Sequence, residues 1–449
     1  MSYTPQELTA VLQKYKAGKQ SLERRVIAAE NWWKLRNRFE EDKRPCASSA
    51  GDFRAVSGWL HNVIVSKHAD AMEAYPEPVI LPREPDDRAE AELLSAVVPC
   101  ILEQNAFERT WSDAMWQKLK TGTAAYRVGW DPDKLGGLGD ISIERVDLLN
   151  LFWEPGIADI QRSKFVFCTH LEDNDELEEE FPQLRGRLRG NPFTATRFLY
   201  DDAVSLDGKS TVVEAYYRRK RAGRTVLHYV KYVGETVLYS TEEDTPQASP
   251  FRGKCRVRTL GDGGAKPGQA PSPDPAALSV SLSLDSSPEG GAKNDPPGLY
   301  THGRYPFVLD PLFPVEGSPC GYGFVDLCHN NQTAIDLMRS AIIKNTVVGA
   351  TPRYFQRIDG SVNEEEFADL GRALVHVSGN LGEDSLRQIG FSPLSGVYMD
   401  VLNSSIQELR ETSGNTETST GNISSGVTAA SAIAALQEAS GKGSRDSTR

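Results

Sequence analysis

The first residues of the chain show a helical pattern of apolar and polar positions. Thr4, Pro5 and Glu7 predict where the helix begins, because threonine is a good cap, proline suits the first position and glutamate completes a capping box. The pattern continues to about residue 42, with a break predicted near Gly18. A loop over residues 45–52 follows, and we expect the helix to resume after it.

Helical spacing returns over residues 53–75, and prolines then predict an extended segment. A further helix is predicted from Asp86 to Lys120, with Gly122 as its left-handed cap. We therefore expect residues 1–122 to form a helical N-terminal part.

The period then changes from helical to alternating, which predicts a β-rich part over residues 123–257. The predicted strands are Thr123–Trp130, Gly139–Val146, Phe165–His170, Thr211–Arg219, Thr225–Val233 and Glu235–Tyr239. Residues 258–298 are rich in glycine, proline and serine and have almost no aromatic residues, so we expect a disordered insertion or a long surface loop there.

Residues 299–350 predict an extended, buried segment followed by a long helix over Tyr322–Val348, ended by Gly349 and Pro352. Its predicted apolar stripe is Phe324, Leu327 or Cys328, Ile335, Met338 and Ile342. Its predicted polar stripe is Asp326, Asn330, Thr333, Ser340 and Lys344.

A small α/β unit is expected over residues 351–394, followed by a return helix within 395–411. Residues 412–427 are almost purely small and polar, and a long loop without structure of its own is usually functional or disordered. Residues 428–449 predict the start of another helix.

The composition narrows the class of protein. The formal net charge of −12 argues against tight general binding of nucleic acid. The six cysteines form no C-x-x-C pair and are typical of reduced thiols in a cytosol-like compartment. The sequence shows neither a signal peptide nor an apolar run long enough to cross a membrane.

Motifs for catalysis or metal binding are missing from the sequence, and we predict no enzyme activity, no cofactor and no metal. His61 and His68 are expected to be surface or packing residues. The glycines of Gly321-Tyr322-Gly323 are expected to be structural, and the acidic run from Glu172 to Glu180 to begin a helix. Arg218–Arg221 is the one tight basic cluster, and a solvated hairpin turn is the favoured interpretation over a nucleic-acid site.

Several segments in order resemble the portal, or head-to-tail connector, proteins of tailed bacteriophages. They are Leu119–Thr123 with Tyr126–Asp131, Phe152–Pro155 with Ala158–Ile160 and Phe165-Val166, Tyr305–Val308 with Gly321–Gly323 and Asn331–Asp336, and Asn415–Gly426 with Ala430–Ile433 and Leu436–Ala439. Each is weak alone, and their order and spacing carry the resemblance.

The resemblance implies an α+β portal fold with a helical and β-rich wing, a two-helix stem and a small α/β clip. It implies a ring, usually a dodecamer, at one capsid vertex, through which double-stranded DNA is packaged and ejected. The implied partners are the terminase large subunit, head-completion or adaptor proteins, and capsid and scaffolding proteins, without membrane contact. The implied location is the virion, and the host cytoplasm during assembly.

In that arrangement, residues 299–350 supply the wing-to-stem segment and the first stem helix, 351–394 the clip, 395–411 the return stem helix and 412–427 a tunnel loop. The family usually continues beyond the helix that begins at 428–449. The implied channel residues are Asn415, Thr416, Thr418, Ser419, Thr420, Asn422, Lys344 and Asn330, and the implied docking residues of the clip are Arg353, Tyr354 and Arg357. Lys344 could instead lie on the outer surface.

Two other interpretations stay open at this point. The chain could be a different head or tail protein, such as an adaptor or minor structural component without a channel. It could also be a nuclease with a carboxylate-bound metal, for which the acidic run of Glu172–Glu180 is the candidate cluster.

Overall fold

A computed structural model of the chain shows a mixed α+β protein whose described residues fall into two compact units. The described residues are 3–35, 55–73, 75–131, 134–188, 208–221, 224–242, 299–300, 302–350, 354–356, 363–368, 376, 386–388 and 395–415. The first unit takes its described residues from 1–30 and 68–323, and the second takes them from 31–67 and 324–446.

Helix α1, Pro5–Trp33, begins with the predicted capping box. The Thr4 backbone N–H donates to Glu7 Oε2 at 2.9 Å, and the Glu7 N–H donates to Thr4 Oγ1 at 3.3 Å. The predicted break at Gly18 is wrong, because the helix runs straight through it. A side chain at Gly18 would lie 2.5 Å from Pro155 Cγ, so this glycine serves close packing and not helix termination.

Three more helices precede the sheets: α2, Trp59–Glu73; α3, Arg88–Gln104; and α4, Phe107–Thr121. The single helix predicted up to Lys120 is therefore two helices. They are separated at Asn105 and Ala106, the latter in a left-handed conformation with φ of 47°. Asn105 Nδ2 donates to Ile101 O, and its Oδ1 accepts from Lys134 Nζ and from the Ile143 N–H, so this asparagine anchors the junction.

The strands of the first unit form two antiparallel sheets, ordered β2-β1-β8 and β3-β4-β5-β6-β7. Their bounds are β1 Thr123–Asp131, β2 Asp140–Arg145, β3 Leu151–Trp153, β4 Phe165–Asp173, β5 Lys209–Arg221, β6 Arg224–Val233, β7 Thr236–Ser240 and β8 Phe307–Pro311. A tight turn, α5 at Lys134–Gly137, lies between β1 and β2, and helix α6, Asn174–Glu180, follows β4. All six predicted strands are present, and β3 and β8 are additional.

Both faces of the five-stranded sheet are covered, which accounts for the continuous burial along β4 and β5. One face packs on the first turns of α1 through Leu8, Leu12 and Tyr15. The other face packs towards the three-stranded sheet, with Tyr216 and Tyr229 close to Phe307 and Ala125. The first unit is thus built around a sheet whose two surfaces are both interior.

A charged network joins the two sheets inside the first unit. Arg127 on β1 places Nη1 3.0 Å from Glu214 Oε2 on β5, and Glu214 is only 4% exposed. The same carboxylate accepts from the hydroxyl of Tyr216 at 3.0 Å and from that of Tyr229 at 3.2 Å. Because these groups satisfy one another, the sheets can carry a buried charge between them.

Glycines at the end of α4 permit a very close backbone crossing. Gly122 has φ of 87° and caps α4 as predicted. A side chain there would lie 2.3 Å from the Tyr322 carbonyl carbon, and one at Gly323 would lie 2.6 Å from Lys120 O. The prediction that Gly321 and Gly323 are structural is confirmed, since both stand where backbone meets backbone.

The second unit contains the long helix α7, Phe324–Ala350, and the helix α9, Val397–Ser413, which pack against each other. Between them lie β9, Tyr354–Gln356, paired antiparallel with β10, Leu386–Gln388, and the short helix α8, Glu364–Ala368. Helix α9 extends two residues beyond the predicted end and is capped by Gly414 with φ of 66°. Thr412 and Ser413, predicted as the start of a loop, therefore belong to the helix, and residues 416–427 of that prediction lie outside the described residues.

A buried polar cluster on α7 holds the start of α2. Gln332 and Asp336 lie one turn apart and are 1% and 7% exposed. Gln332 Oε1 accepts from the Leu60 N–H at 3.0 Å, and its Nε2 donates to Ser57 O at 2.8 Å. Asp336 Oδ1 accepts from the Ser57 N–H at 3.0 Å. These bonds satisfy backbone groups at the beginning of α2 that would otherwise be unpaired.

Candidate functional site

The predicted channel residues on α7 lie on one face of the helix. Asn330 and Lys344 are both exposed, and Leu337, midway between them, is 59% exposed. Seven residues make almost two full turns, so the three side chains are in line. The face is exposed, as predicted, but it is not purely polar.

The stripes predicted on α7 hold in part. Ser340, predicted on the polar stripe, is half-buried and faces the Ala55 segment: its Oγ accepts from the Ala55 N–H at 2.8 Å and donates to Asp336 O at 2.6 Å. The apolar stripe was predicted to pass through Leu327 or Cys328; Cys328 is buried with Phe324 and Ile335, and Leu327 is 36% exposed. Helical periodicity located the buried face of α7, but it could not show that polar side chains on this face would bond to backbone groups of other segments.

Asn415 stands just after the cap of α9. Its N–H donates to Arg410 O at 3.0 Å, and its Oδ1 accepts from the Ser66 hydroxyl at 3.2 Å. This side chain fastens the end of α9 to α2, and a role in a channel stays a prediction. Thr416, Thr418, Ser419, Thr420 and Asn422 lie outside the described residues.

The predicted docking residues of the clip are described only in part. Tyr354 begins β9 and pairs with Gln388 of β10. Arg353 and Arg357 lie outside the described residues. The two-stranded pairing fits the predicted small α/β unit, and the assignment of its residues to docking stays a prediction.

The C-terminal half of α7 and the first turn of α9 expose apolar side chains that the sequence did not single out. On α7, Val347 is 55% exposed and Val348 36%; on α9, Val397 is 62% and Met399 50% exposed. No residue of α7 beyond Asp336 is buried. The signal in the sequence was the mixed composition of residues 337–350, where apolar residues continue on every side of the helix.

The basic cluster belongs to strand β5, and the prediction of a solvated turn is wrong for Arg218 and Arg219. Arg218 and Arg219 are half-buried on β5, and only Lys220 among the three is exposed. Arg218 donates to Gln161 O at 2.5 Å and to Gln161 Oε1 at 2.6 Å. Arg219 pairs with Glu242 Oε1 at 3.0 Å and lies over the ring of Tyr3.

The remaining titratable candidates have packing partners. His61 stacks on Trp33, and His68 stacks on Trp116, where burial lowers the pKa of His68. The acidic run forms α6, with Asp175 and Glu176 in its first turn. Across the described ranges, no three histidine, cysteine or acidic side chains are grouped as metal ligands would be. In the same ranges, none of the helices combines the length and hydropathy of a membrane span.

These features define an α+β protein with two units. The first contains two antiparallel sheets, and the second contains a helical hairpin of α7 and α9. Residues 69–259 match the family model described as phage P22-like portal protein. Over these residues the chain is similar to the tailed-phage portal proteins, and the predicted resemblance is confirmed. The matched stretch, somewhat less than half of the chain, lies within the first unit. No curated protein matches the chain.

Proposed function

We propose that this protein is a structural portal that assembles into a ring, a dodecamer as is usual in the family, at one vertex of a phage capsid. The ring is the channel through which double-stranded DNA is packaged and later ejected. The observation that carries the proposal is the match of residues 69–259 to the portal family. The protein would be part of the virion and would assemble in the host cytoplasm.

The exposed apolar side chains of α7 and α9 support assembly with further copies. Val347, Val397 and Met399 are each at least half exposed in the single chain. Apolar residues exposed together on neighbouring elements are typical of surfaces that another protein covers. In a closed ring, one such hairpin packs beside the next, and each repeats the same contact.

The charge of the chain supports a channel in which DNA slides. A net charge of −12 disfavours tight capture of phosphates, whose binding grows with the number of basic contacts. Asn330 and Lys344 would line the channel from α7. Asn415, Thr416, Thr418, Ser419, Thr420 and Asn422 would touch phosphates from the tunnel loop with hydroxyl and amide groups, without reading sequence.

The clip, residues 351–394, would be the docking surface for the terminase large subunit and then for head-completion or adaptor proteins. Arg353, Tyr354 and Arg357 are the proposed contacts, since arginine and tyrosine are enriched where interfaces derive most of their affinity. The wing would meet capsid and scaffolding proteins.

Negative-stain electron microscopy of the purified chain tests the ring. We expect closed rings with a central opening. Particles that remain monomeric at high concentration would overturn the ring, and closed particles without an opening would favour an adaptor or minor structural protein.

Deletion of residues 416–425 tests the tunnel loop. Because α9 and its Gly414 cap end before this segment, we expect rings to form as before and the yield of packaged or retained DNA to fall. Full DNA content in virions built with the deletion would refute the role of the loop.

A further inference from the structure

Among the described strands, only one lies beside β8, so the other edge of β8 has no described strand next to it. In the described part of the chain, β8 pairs with β1 alone. The Val128 N–H donates to Pro306 O, and the Leu312 N–H donates to Gly122 O, so even-numbered residues from 306 to 312 face β1. By the alternation of an antiparallel ladder, the backbone groups of Phe307 and Leu309 face the opposite side.

The Gln161 side chain imitates a neighbouring strand along the first part of this edge. Its Nε2 donates to Tyr305 O at 3.0 Å and Phe307 O at 3.2 Å, and its Oε1 accepts from the Tyr305 N–H at 3.0 Å. The N–H and C=O of Leu309 come next along the edge, and Pro311 beyond them has no N–H. The Leu309 N–H and C=O are therefore the backbone groups available for pairing at this edge. They lie between the carbonyls that Gln161 occupies and Pro311.

A groove of about 1180 Å³ runs beside this edge. Its walls come from the turn around Ile160, from the loop at Val315–Pro319 and from β8 itself. Val308 is 53% exposed, Val128 43% and Val315 39%, so the groove offers apolar contacts as well as backbone groups. All of these residues belong to the first unit.

Two arginines lie at one end of the groove, and the carboxylates of Asp159 and Glu316 also line the groove. Arg218 and Arg304 line it together with His302, and none of the ion pairs between described residues joins a carboxylate to either arginine. Arg218 uses Nη1 and Nη2 on neutral oxygens of Gln161, so its charge is not compensated there. Burial, followed by the charges of Arg304 and Arg218, lowers the pKa of His302, which agrees with a positive potential at this end.

We propose that this groove binds an extended acidic peptide segment of another protein, which adds to β8 as an antiparallel strand. The Leu309 N–H and C=O would bond to the backbone of the added strand, and its apolar side chains would contact Val308 and Val315. An antiparallel strand ends where β8 begins, so acidic residues near the C-terminus of the segment would meet Arg304 and Arg218.

The inference does not depend on the ring, because every group involved lies in the first unit. A displayed library of random decapeptides, selected on the full chain, supplies the probe. We expect enriched sequences to combine β-branched residues with aspartate or glutamate towards the C-terminus. Failure to enrich any peptide, or enrichment of basic or neutral ones, would overturn the proposal.

Leu309→Pro and Leu309→Ala form the first matched pair for an enriched peptide. Both lose the leucine side chain, and only proline removes the outward N–H. We expect binding to Leu309→Pro to be roughly fivefold to tenfold weaker than to Leu309→Ala, the loss of about one hydrogen bond. Equal binding by the two variants would exclude strand addition.

Arg304→Glu and Lys220→Glu form the second pair, which remains decisive if the variants at Leu309 do not fold. Both reverse one exposed charge, and only Arg304 lines the groove. We expect Arg304→Glu to weaken peptide binding about tenfold or more and Lys220→Glu to leave it nearly unchanged. Equal effects would mean a general charge attraction, and displacement of the peptide by duplex DNA or by peptides of this chain would assign the groove to that other occupant.

Discussion

The first unit and the helical hairpin of the second unit satisfy their apolar residues in different ways. In the first unit, both faces of the five-stranded sheet are interior, and Phe152, Phe167 and Tyr216 are completely buried. In the hairpin, Val397 and Met399 remain half or more exposed although they belong to a regular helix. The first unit can therefore be stable as a single chain. The hairpin, in contrast, carries apolar side chains that no other part of the described chain covers.

The largest expected effect concerns the charged network between the sheets. Arg127→Met leaves the Glu214 carboxylate buried with two tyrosine hydroxyls as donors and no positive partner. Breaking one side of a buried pair costs about 3–5 kcal/mol, so we expect the free energy of unfolding to fall by that amount in urea titrations.

Glu144→Gln is the control for this network. Glu144 lies 3.3 Å from Arg127 Nη2, and its side chain is half exposed, so its loss should cost less than about 1 kcal/mol. The double variant Arg127→Met with Glu214→Leu should recover much of the loss. Equal costs for Arg127→Met and Glu144→Gln would show that burial does not decide the energy here.

A somewhat smaller effect is expected from Lys19, which is buried on α1. Its Nζ donates to the carbonyls of Leu148 and Leu151 and lies over the rings of Phe152 and Trp153. Burial lowers the pKa of Lys19 to about 8 from 10.5. Between pH 8 and 10.5 the unfolded chain then holds the Lys19 proton that the folded chain has lost, so the contribution of Lys19 to stability should rise with pH by up to about 3 kcal/mol.

Tyrosines limit that rise from above. Burial raises the pKa of Tyr15 and of Tyr232 to about 12 from 10.0. Above pH 10 the unfolded chain loses these protons first, so stability should fall again. Burial also raises the pKa of Cys168 to about 12 and of Cys328 to about 11, both from 9.0, so the unfolded chain loses these protons from about pH 9. Urea titrations between pH 7 and 11 should therefore show a maximum between about pH 8 and 9, and Lys19→Met should abolish the rise and keep the fall. An unchanged rise in Lys19→Met would contradict the assignment.

The buried polar pair on α7 should give an effect of about 1–3 kcal/mol. Gln332→Leu leaves the Leu60 N–H and the Ser57 carbonyl without their partners at the start of α2. Asn330→Leu, two residues earlier on the same helix but exposed, is the control and should change stability by less than about 0.5 kcal/mol. Hydrogen exchange should report the loss at residues 57–63, and equal protection in both variants would contradict the role of Gln332.

The first unit and the hairpin also show which features of the fold could be predicted from the sequence and which could not. Gly122 was predictable as a cap, because the signal is local: a helix ends and the chain needs a left-handed residue. Gly18 was not, because its requirement is contact with Pro155, far along the chain. The strands of the first unit followed from alternation, and β3 was missed because three consecutive buried residues do not alternate.

For the candidate site, the sequence placed Asn330 and Lys344 on one exposed face, since helical spacing alone determines that. It could not assign Gln332 and Asp336 to the interior, because periodicity records that a residue is polar and not that a backbone group across the fold needs it. The same limit explains Arg218, whose charge predicted exposure while Gln161 and Tyr305 hold it half-buried.

The smallest change in the free energy of unfolding of the single chain should come from removing exposed apolar side chains of the hairpin. The same variants test most directly how the hairpin differs from the first unit. Leu337→Ser with Met399→Ser removes two side chains that are 59% and 50% exposed, so unfolding of the dilute, unassembled chain should change by less than about 0.5 kcal/mol. Assembly should fall at least tenfold in mass photometry, because each side chain would be buried once in every contact between copies. Val128→Ser, which removes a side chain 43% exposed in the first unit, should leave both quantities unchanged. If the hairpin variant assembled as well as Val128→Ser, the exposed apolar residues of α7 and α9 would not be the contact between copies, and the proposed ring would need another interface.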